Sequence, residues 1–207
     1  MEVDRYIVNA LLFFQKVFRR IKKWFFARRF EHFDFSSGFG TDGAGKSCTI
    51  VGAKHISVGK DCTFGAGSEL LALDAHFNQK FNSRLIIGDH VRATARCRIT
   101  CAGNITIEDD VLMASDLFLT DHNHGMNPDF QGGYSPQPLI VKDIRICKGV
   151  WLGQRVCVLP GVTIGAHSII GANSVVTRDI PPYSMAVGAP ARVIKKWESE
   201  QSQWVSV

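Results

Sequence analysis

The sequence predicts an all-β fold, a parallel β-helix built from six-residue repeats. In the stretch 146–181 a branched apolar residue recurs at every sixth position, and a second small or apolar residue stands four positions after each of them. A period of six fits neither an α-helix nor a continuous strand, so each unit is a short strand followed by a corner, and three units complete one coil. The predicted inward residues are Ile146, Val150, Leu152, Val156, Val158, Val162, Ile164, Ser168, Ile170, Ser174, Val176 and Ile180.

The same register extends towards the N-terminus and predicts coils from about residue 50 to residue 181. Its phase shifts by two residues before Ile107. Each coil buries its apolar side chains against the next, so we predict one repeat domain at residues 33–207, in which the C-terminal extension 182–207 carries a short helix. The earlier inward residues are Val58, Cys62, Phe64, Ser68, Ile87, Val91, Ala93, Cys97, Ile99, Gly103, Ile107, Met113 and Leu119.

Two interruptions break the repeat. The first, at residues 73–85, is rich in polar side chains and is predicted to be a solvated loop. The second, at 121–140, opens with the sequence Asp-His-Asn-His-Gly and continues through a stretch rich in proline and glycine. A long loop on a rigid scaffold is usually functional, so we expect a site at this second excursion.

Residues 1–32 precede the repeats and predict an amphipathic helix. Apolar residues follow helical spacing, and most of the lysine and arginine residues of this segment lie on the other face. The helix suits an anionic membrane surface, and it equally suits packing against the β-helix or a neighbouring subunit. Its longest uncharged run, 6–15, is too short to span a bilayer, and no signal-peptide cleavage site follows. We expect a cytoplasmic protein with potential peripheral attachment to the inner face of the cell membrane.

Composition argues against two classes of partner. The formal net charge of +5 is concentrated in residues 16–29, and the repeats carry no basic stripe interleaved with aromatic residues, so we predict no nucleic-acid binding. The six cysteines form no CxxC pair and no regular disulfide framework. Reduced thiols that pack in the core explain Cys62 and Cys97, and we predict no structural zinc.

The stretch 40–47 matches the phosphate-binding loop of nucleotide hydrolases letter for letter. That loop requires a buried strand before it and a helix after it, because loop amides and the helix N-terminus hold the phosphates together. A polar segment precedes this stretch and a strand-like pattern follows it. The flanks therefore argue against a nucleotide site.

Several motifs together resemble the hexapeptide-repeat acetyltransferases, in particular the maltose, galactoside and surface-polysaccharide O-acetyltransferase branch. They are the hexads themselves, the loop that starts at Asp121, and the segments 149–153, 159–162, 170–172 and 188–194. The resemblance covers about residues 40–197. It implies a left-handed β-helix, a homotrimer, active sites between subunits, and acetyl-CoA as the cosubstrate, with no metal required.

The resemblance also assigns roles to residues. It places the catalytic base at His122, and we expect Asp121, His124 and Tyr134 of the same loop to contact a carbohydrate acceptor. Histidine suits this role because a hydroxyl needs a base with a pKa near neutrality to attack a thioester. The residues that fall where relatives line the CoA channel are Ala114, Trp151, Gln154, Ala172, Thr177, Arg178, Arg192 and Lys195.

The predicted reaction is O-acetylation of a sugar hydroxyl, in surface polysaccharide or lipid-linked glycan biosynthesis, by direct attack on the thioester. Compared with the galactoside branch, the sugar-binding asparagine is replaced near Thr94 and the segment before His122 is two residues shorter, so the identity of the acceptor stays open. N-acetylation of an amino sugar stays open as well, because the sequence does not decide between O- and N-acetylation. The β-helix carbonic anhydrases need three zinc-binding histidines, two of them five residues apart, and His122 and His124 do not match that spacing. A non-catalytic scaffold would not need the combination of His122, Trp151 and Arg192.

Overall fold

The computed structural model describes residues 48–207. The predicted helix at 1–32 and the glycine-rich stretch 40–47 lie outside the described residues. Within them the fold is all-β, with one turn of 3-10 helix at Ala53–His55, and no helix there is long and apolar enough to cross a lipid bilayer. The strands in chain order are β1 Thr49–Val51, β2 Ile56–Val58, β3 Thr63–Phe64, β4 Glu69–Ala72, β5 Ala75–His76, β6 Gln79–Lys80, β7 Arg84–Ile87, β8 Arg92–Ala93, β9 Arg98–Cys101, β10 Asn104–Ile107, β11 Leu112–Met113, β12 Phe118–Thr120, β13 His122–Asn123, β14 Ile140–Val141, β15 Ile144–Ile146, β16 Trp151–Leu152, β17 Cys157–Val158, β18 Thr163–Ile164, β19 Ile169–Ile170, β20 Val175–Val176, β21 Ser184–Gly188, β22 Ala191–Glu198 and β23 Gln203–Ser206.

Most strands belong to three sheets that the chain visits in rotation. Sheet I has the order β1-β4-β9-β12-β17-β20, sheet II the order β2-β7-β10-β15-β18, and sheet III the order β3-β8-β11-β16-β19-β21-β22-β23. Neighbours are parallel throughout sheets I and II and as far as β21 in sheet III. The chain therefore winds as a parallel β-helix of triangular section, as the hexad pattern predicts.

The register of the sheets explains the spacing of the sequence. A late coil contains eighteen residues, as the pairing of Arg145 with Thr163 shows. The coil between the paired residues Arg98 and Phe118 contains twenty residues. The longer coil accounts for the two-residue shift of phase before Ile107. With the exception of Gly103, which is only partly buried, the predicted inward residues are buried along the axis, and the apolar ones form one continuous core that includes Leu152 and Ile164.

The C-terminal segment corrects one expectation, because it contains no helix. Instead β21, β22 and β23 form an antiparallel extension of sheet III. Exposure alternates with a period of two along Ala191–Glu198, as it does in a strand with one face covered. Trp197 pairs with Trp204 across β22 and β23, with ring centroids 5.5 Å apart, and such aromatic cross-strand pairs stabilise a hairpin.

Candidate active site

Both interruptions of the repeat leave the β-helix at the same corner, where sheet I gives way to sheet II. In sheet I Ala72 pairs with Cys101, and Thr120 pairs with Thr100 on the other side of the same strand. The first excursion contains the antiparallel pair β5 and β6, and the second begins and ends with the antiparallel pair β13 and β14. The coil between them turns the corner without an insertion. The two excursions are therefore neighbours in space.

A buried carboxylate holds the first histidine of the second excursion. Asp121 is completely buried, and its two oxygens accept hydrogen bonds from the backbone N–H groups of Ala102 and Gly103 at 2.8 and 2.7 Å. Its Oδ1 also lies 2.8 Å from Nδ1 of His122. Three donors around one carboxylate offset the cost of removing its charge from water.

The same contact fixes which ring nitrogen of His122 carries the proton. An ionised carboxylate only accepts hydrogen bonds, so Nδ1 donates to Asp121 and Nε2 is left with a lone pair. Among the described residues Nε2 has no hydrogen-bond partner, and the side chain is 15% exposed. The geometry is that of a general base whose imidazole is oriented by a carboxylate.

The expected contact between Asp121 and the acceptor is not supported by this position. Its carboxylate faces the backbone of the preceding coil and the ring of His122, not solvent. Gly103 completes this arrangement, because a Cβ built there would lie 2.5 Å from Cγ1 of Val141 in β14. Asp121 therefore contacts the ring of His122 and is not open to a ligand from solvent.

A thiol lies beneath this pair but does not compete with the imidazole. Cys101 is buried, and its Sγ donates to the carbonyl of Gly103 at 3.3 Å. Burial, reinforced by the neighbouring charge of Asp121, raises the pKa of the Cys101 thiol to about 12. The thiol therefore stays protonated near neutral pH, where it is a poor nucleophile.

The second excursion is held in shape by two glutamine side chains. Gln137 is buried and bonds both the N–H and the C=O of Asn127, at 2.9 and 2.8 Å. Gln79, on the first excursion, bonds both backbone groups of Leu139, with its Oε1 2.6 Å from the N–H and its Nε2 3.1 Å from the C=O. Tyr134 lies exposed on the loop that these contacts hold.

One histidine at this corner was not predicted from the sequence. Nε2 of His76 lies 2.9 Å from the carbonyl oxygen of Ser135, and its ring meets the ring of His124 edge to face, with centroids 5.2 Å apart. Residues 73–85 are predicted to be a solvated loop, and most of them are exposed or only partly buried, but β5 and β6 also contact the second excursion. The register could have revealed this, because it shows that both interruptions leave from the same corner.

The residues expected to line the CoA channel fall into two groups. Thr177 and Arg178 follow β20 at the same corner of sheets I and II as His122, two strands further along sheet I. The others lie across sheet I, at the corner with sheet III or on sheet III itself. This second group comprises Ala114, Trp151, Gln154, Ala172, Arg192 and Lys195.

The second group shares one side of the β-helix. In sheet III Trp151 pairs with Ile169, and that column continues through Met185 to Lys195. Side chains of paired residues point to the same face of a sheet, so Trp151 and Lys195 face the same way. Gln154 is in the next corner, 3.5 Å from Oδ2 of Asp116. One chain thus places His122 and most of the expected channel residues on opposite sides of sheet I.

No cluster of three or more potential metal ligands occurs among residues 48–207. The histidines of the site are instead engaged by Asp121, by Ser135 and by each other's rings.

Comparisons with known proteins agree with this architecture. The family described as "Bacterial transferase hexapeptide (six repeats)" matches residues 143–178, and "Hexapeptide repeat of succinyl-transferase" matches residues 55–70. The Escherichia coli protein named "Putative lipopolysaccharide biosynthesis O-acetyl transferase WbbJ" is 37% identical over 166 residues, which cover 76% of this chain and 80% of that protein. The chain belongs to the hexapeptide-repeat transferase family. Members similar to it are named acetyltransferases, and the chain is an enzyme of the acyltransferase class.

Other hexapeptide-repeat transferases extend the comparison. Galactoside O-acetyltransferase of Escherichia coli is 36% identical over 116 residues, but this region covers 56% of each protein, so the chain spans just over half of that enzyme's length. The hexapeptide-repeat acetyltransferase VCA0836 of Vibrio cholerae superposes with a TM-score of 0.56 at 27% identity, over 69% of this chain and 74% of that one. A galactoside acetyltransferase in complex with coenzyme A superposes with a TM-score of 0.50 at 28% identity, over 74% of this chain and 66% of that one.

Proposed function

We propose that this hexapeptide-repeat transferase moves the acetyl group of acetyl-CoA to a hydroxyl of a sugar acceptor, with His122 as the general base. The observation that carries the proposal is the contact between Asp121 and Nδ1 of His122, which leaves Nε2 of His122 without a hydrogen-bond partner among the described residues. The complexes of similar acetyltransferases with coenzyme A and with acetyl-CoA support the choice of cosubstrate.

The chemistry follows from the orientation of the imidazole. Nε2 of His122 takes the proton of the acceptor hydroxyl while the oxygen attacks the thioester carbonyl. The imidazolium that forms is stabilised by the carboxylate of Asp121 and returns its proton to the departing thiolate. Direct transfer of this kind needs no covalent enzyme intermediate, and the protonated thiol of Cys101 offers none.

The division of the expected channel residues supports a site shared between subunits, and we include a homotrimer in the proposal. His122 lies on one side of sheet I, whereas Trp151 and Lys195 lie on sheet III. If the sheet III surface of one chain faces the corner of sheets I and II of the next, then each pair of neighbours completes one cleft.

We also propose a role in surface polysaccharide or lipid-linked glycan biosynthesis. The name of the similar Escherichia coli protein, which refers to lipopolysaccharide, supports this role. The predicted amphipathic helix at 1–32 would bring the enzyme to the inner face of an anionic membrane, where a lipid-linked acceptor is concentrated.

Replacement of His122 tests the catalytic assignment. We expect His122→Ala to lower kcat by about 10²–10⁴-fold, because a positioned general base contributes that much, while the affinity for CoA is kept. Thiol release from acetyl-CoA in the presence of sugars and amino sugars measures the rate, and calorimetry measures CoA binding. An amino sugar acetylated on nitrogen in preference to every hydroxyl acceptor would replace O-acetylation by N-acetylation.

His90→Ala provides the matched control, because His90 also contacts an aspartate, Asp110, at 3.1 Å, but lies at a different corner of the β-helix. It should retain normal activity. His124→Ala should mainly raise the KM for the acceptor. A nearly normal kcat for His122→Ala, or an inactive but folded His124→Ala, would assign the base to the other histidine.

A further inference from the structure

The turn between β5 and β6 carries an unusual residue. Phe77 and Asn78 form this two-residue turn, and Phe77 has φ 49° and is 67% exposed. A positive φ favours glycine or asparagine and is uncommon for a bulky side chain. Neither burial nor backbone conformation therefore explains phenylalanine at this position.

The hairpin that carries Phe77 is tied firmly to the second excursion. Gln79 bonds both backbone groups of Leu139, and His76 bonds the carbonyl of Ser135. These three hydrogen bonds run from both sides of the turn to the loop of the candidate active site. The exposed ring of Phe77 thus lies on a hairpin that these hydrogen bonds hold against the second excursion.

An aromatic row leads from this ring towards the base. The rings of Phe77 and His76 meet edge to face with centroids 4.9 Å apart, and His76 meets His124 in the same way at 5.2 Å. His124 directly follows β13, His122–Asn123, and stands two residues after His122. The row therefore leads from Phe77 to the residue that lies two positions after the proposed base.

We propose that Phe77 is a specificity-determining residue, the platform on which the apolar face of a hexopyranose acceptor rests. A pyranose presents C–H groups on one face and hydroxyls at its rim, so it matches a braced aromatic ring flanked by polar imidazoles. This inference rests on the proposed function, because it takes a sugar as the acceptor. Phe77 contacts the acceptor away from the reacting atoms, so it governs affinity more than kcat.

The backbone conformation makes a clean test available. Phe77→Asn places a residue that favours positive φ at the turn, so the melting temperature should stay the same or rise. The KM for the sugar acceptor should rise about three- to tenfold, the usual weight of one aromatic contact, with kcat at saturation nearly unchanged. Phe77→Tyr should restore the affinity, because it keeps the ring.

Tyr183→Asn is the matched control. Tyr183 also has a positive φ, 55°, and is 48% exposed, but it stacks on His167 at a different corner of the β-helix. This substitution should leave the acceptor KM unchanged. Equal effects of Phe77→Asn and Tyr183→Asn on that KM would overturn the platform.

A binding measurement separates this inference from the proposed function. Methyl β-D-galactopyranoside, methyl β-D-glucopyranoside and maltose are titrated into the full chain with saturating free CoA, so that no transfer occurs. Weaker binding of a sugar to Phe77→Asn than to the wild type supports the role of Phe77 as a platform. Failure of the wild type to acetylate a sugar that it binds would count against the proposed function and not against this role. Equal binding to both proteins, or no binding of any sugar to the wild type, overturns it. So does a change in sedimentation coefficient for Phe77→Asn, which would make Phe77 a contact between protein chains.

Discussion

At the scale of single residues, a completely buried carboxylate must find its donors inside the protein, and Asp121 finds two backbone N–H groups and one imidazole. The backbone donors belong to the coil below, so the orientation of His122 depends on the stacking of coils and not only on its own loop. The imidazole is therefore as rigid as the β-helix that holds it.

Asp121→Asn should lower kcat much more than it raises the KM for acetyl-CoA. An amide can accept from one oxygen only, and its NH₂ group would face donors, so His122 loses the partner that fixes its Nδ1 proton. An aspartate that orients a histidine in this way is worth up to about 10⁴-fold in rate, and we expect a loss of at least about tenfold. Steady-state kinetics with both substrates measure this split, with circular dichroism to check folding. A purely structural role would instead lower the melting temperature and leave kcat of the folded fraction unchanged.

The sequence marks His122 as a candidate, because an Asp-His-Asn-His motif at the start of a long loop is a local signal, but the motif alone does not separate the role of His122 from that of His124. It was not sufficient to separate the role of Asp121 from that of an acceptor ligand, since burial by Ala102 and Gly103 depends on the neighbouring coil. His76 was missed for the same reason. The contacts of Asp121 with the neighbouring coil connect residues 18 and 19 positions apart, and the contacts of His76 with the second excursion connect residues 48 and 59 positions apart. Only the register through both interruptions reveals them.

At the scale of elements, the shape of the second excursion depends on the first. The side chain of Gln79 forms hydrogen bonds with both the N–H and the C=O of Leu139, just before β14 begins, as the backbone of a neighbouring strand would. The side chain of Gln137 makes a comparable contact within the excursion itself. The first excursion therefore holds the second excursion in place through Leu139.

Gln79→Ala should loosen residues 125–138 without unfolding the β-helix. The loss leaves the N–H and C=O groups of Leu139 without protein partners, which costs about 1–3 kcal/mol if no water replaces them. We expect faster hydrogen exchange at Leu139 and faster proteolysis within the excursion, with core strands unaffected. Gln203→Ala is the control, because Gln203 lies in β23 at the far edge of sheet III. Unchanged exchange at Leu139 in Gln79→Ala would show that the excursion holds its own shape.

The C-terminal extension shows where sequence patterns are weakest at this scale. The residues of β22 alternate between partly covered and exposed, but the lysines and arginine among them obscure that period in the sequence. What decides in favour of strands is the open edge of β21, whose backbone groups need partners once the parallel coils end. The structure of the segment that follows the last coil therefore depends more on the strand beside it than on its own sequence pattern.

At the scale of the whole molecule, sheet I lies between His122 and Trp151, so the proposal that both contact one acetyl-CoA molecule includes a second chain. One flat sheet surface forms only one side of a cleft, and a cleft that excludes water from a thioester needs surfaces on two sides. The proposed trimer provides them, and the predicted helix at 1–32 is a candidate for attachment to a membrane.

Deletion of residues 1–32 should separate assembly from membrane binding. The sheets and corners that would form subunit contacts all lie within residues 48–207, so we expect the shortened chain to sediment as a trimer and to acetylate soluble sugars. It should lose binding to anionic liposomes at low salt, which the full chain should show and high salt should weaken. A shortened chain that sediments as a monomer would assign the segment to assembly, and equal liposome binding by both chains would remove its membrane role.

The shared corner of the two excursions has a consequence for how this enzyme can change its length. A hexad occupies one third of a coil. An insertion of six residues between the two excursions would therefore rotate the second excursion by about a third of a turn about the axis, and His124 would no longer contact His76. An insertion of eighteen residues, the length of a late coil, would keep the direction but move the excursions about 4.8 Å further apart along the axis. If the two excursions together recognise the acceptor, as proposed, descendants of this chain can change their length outside residues 86–120 but not within them.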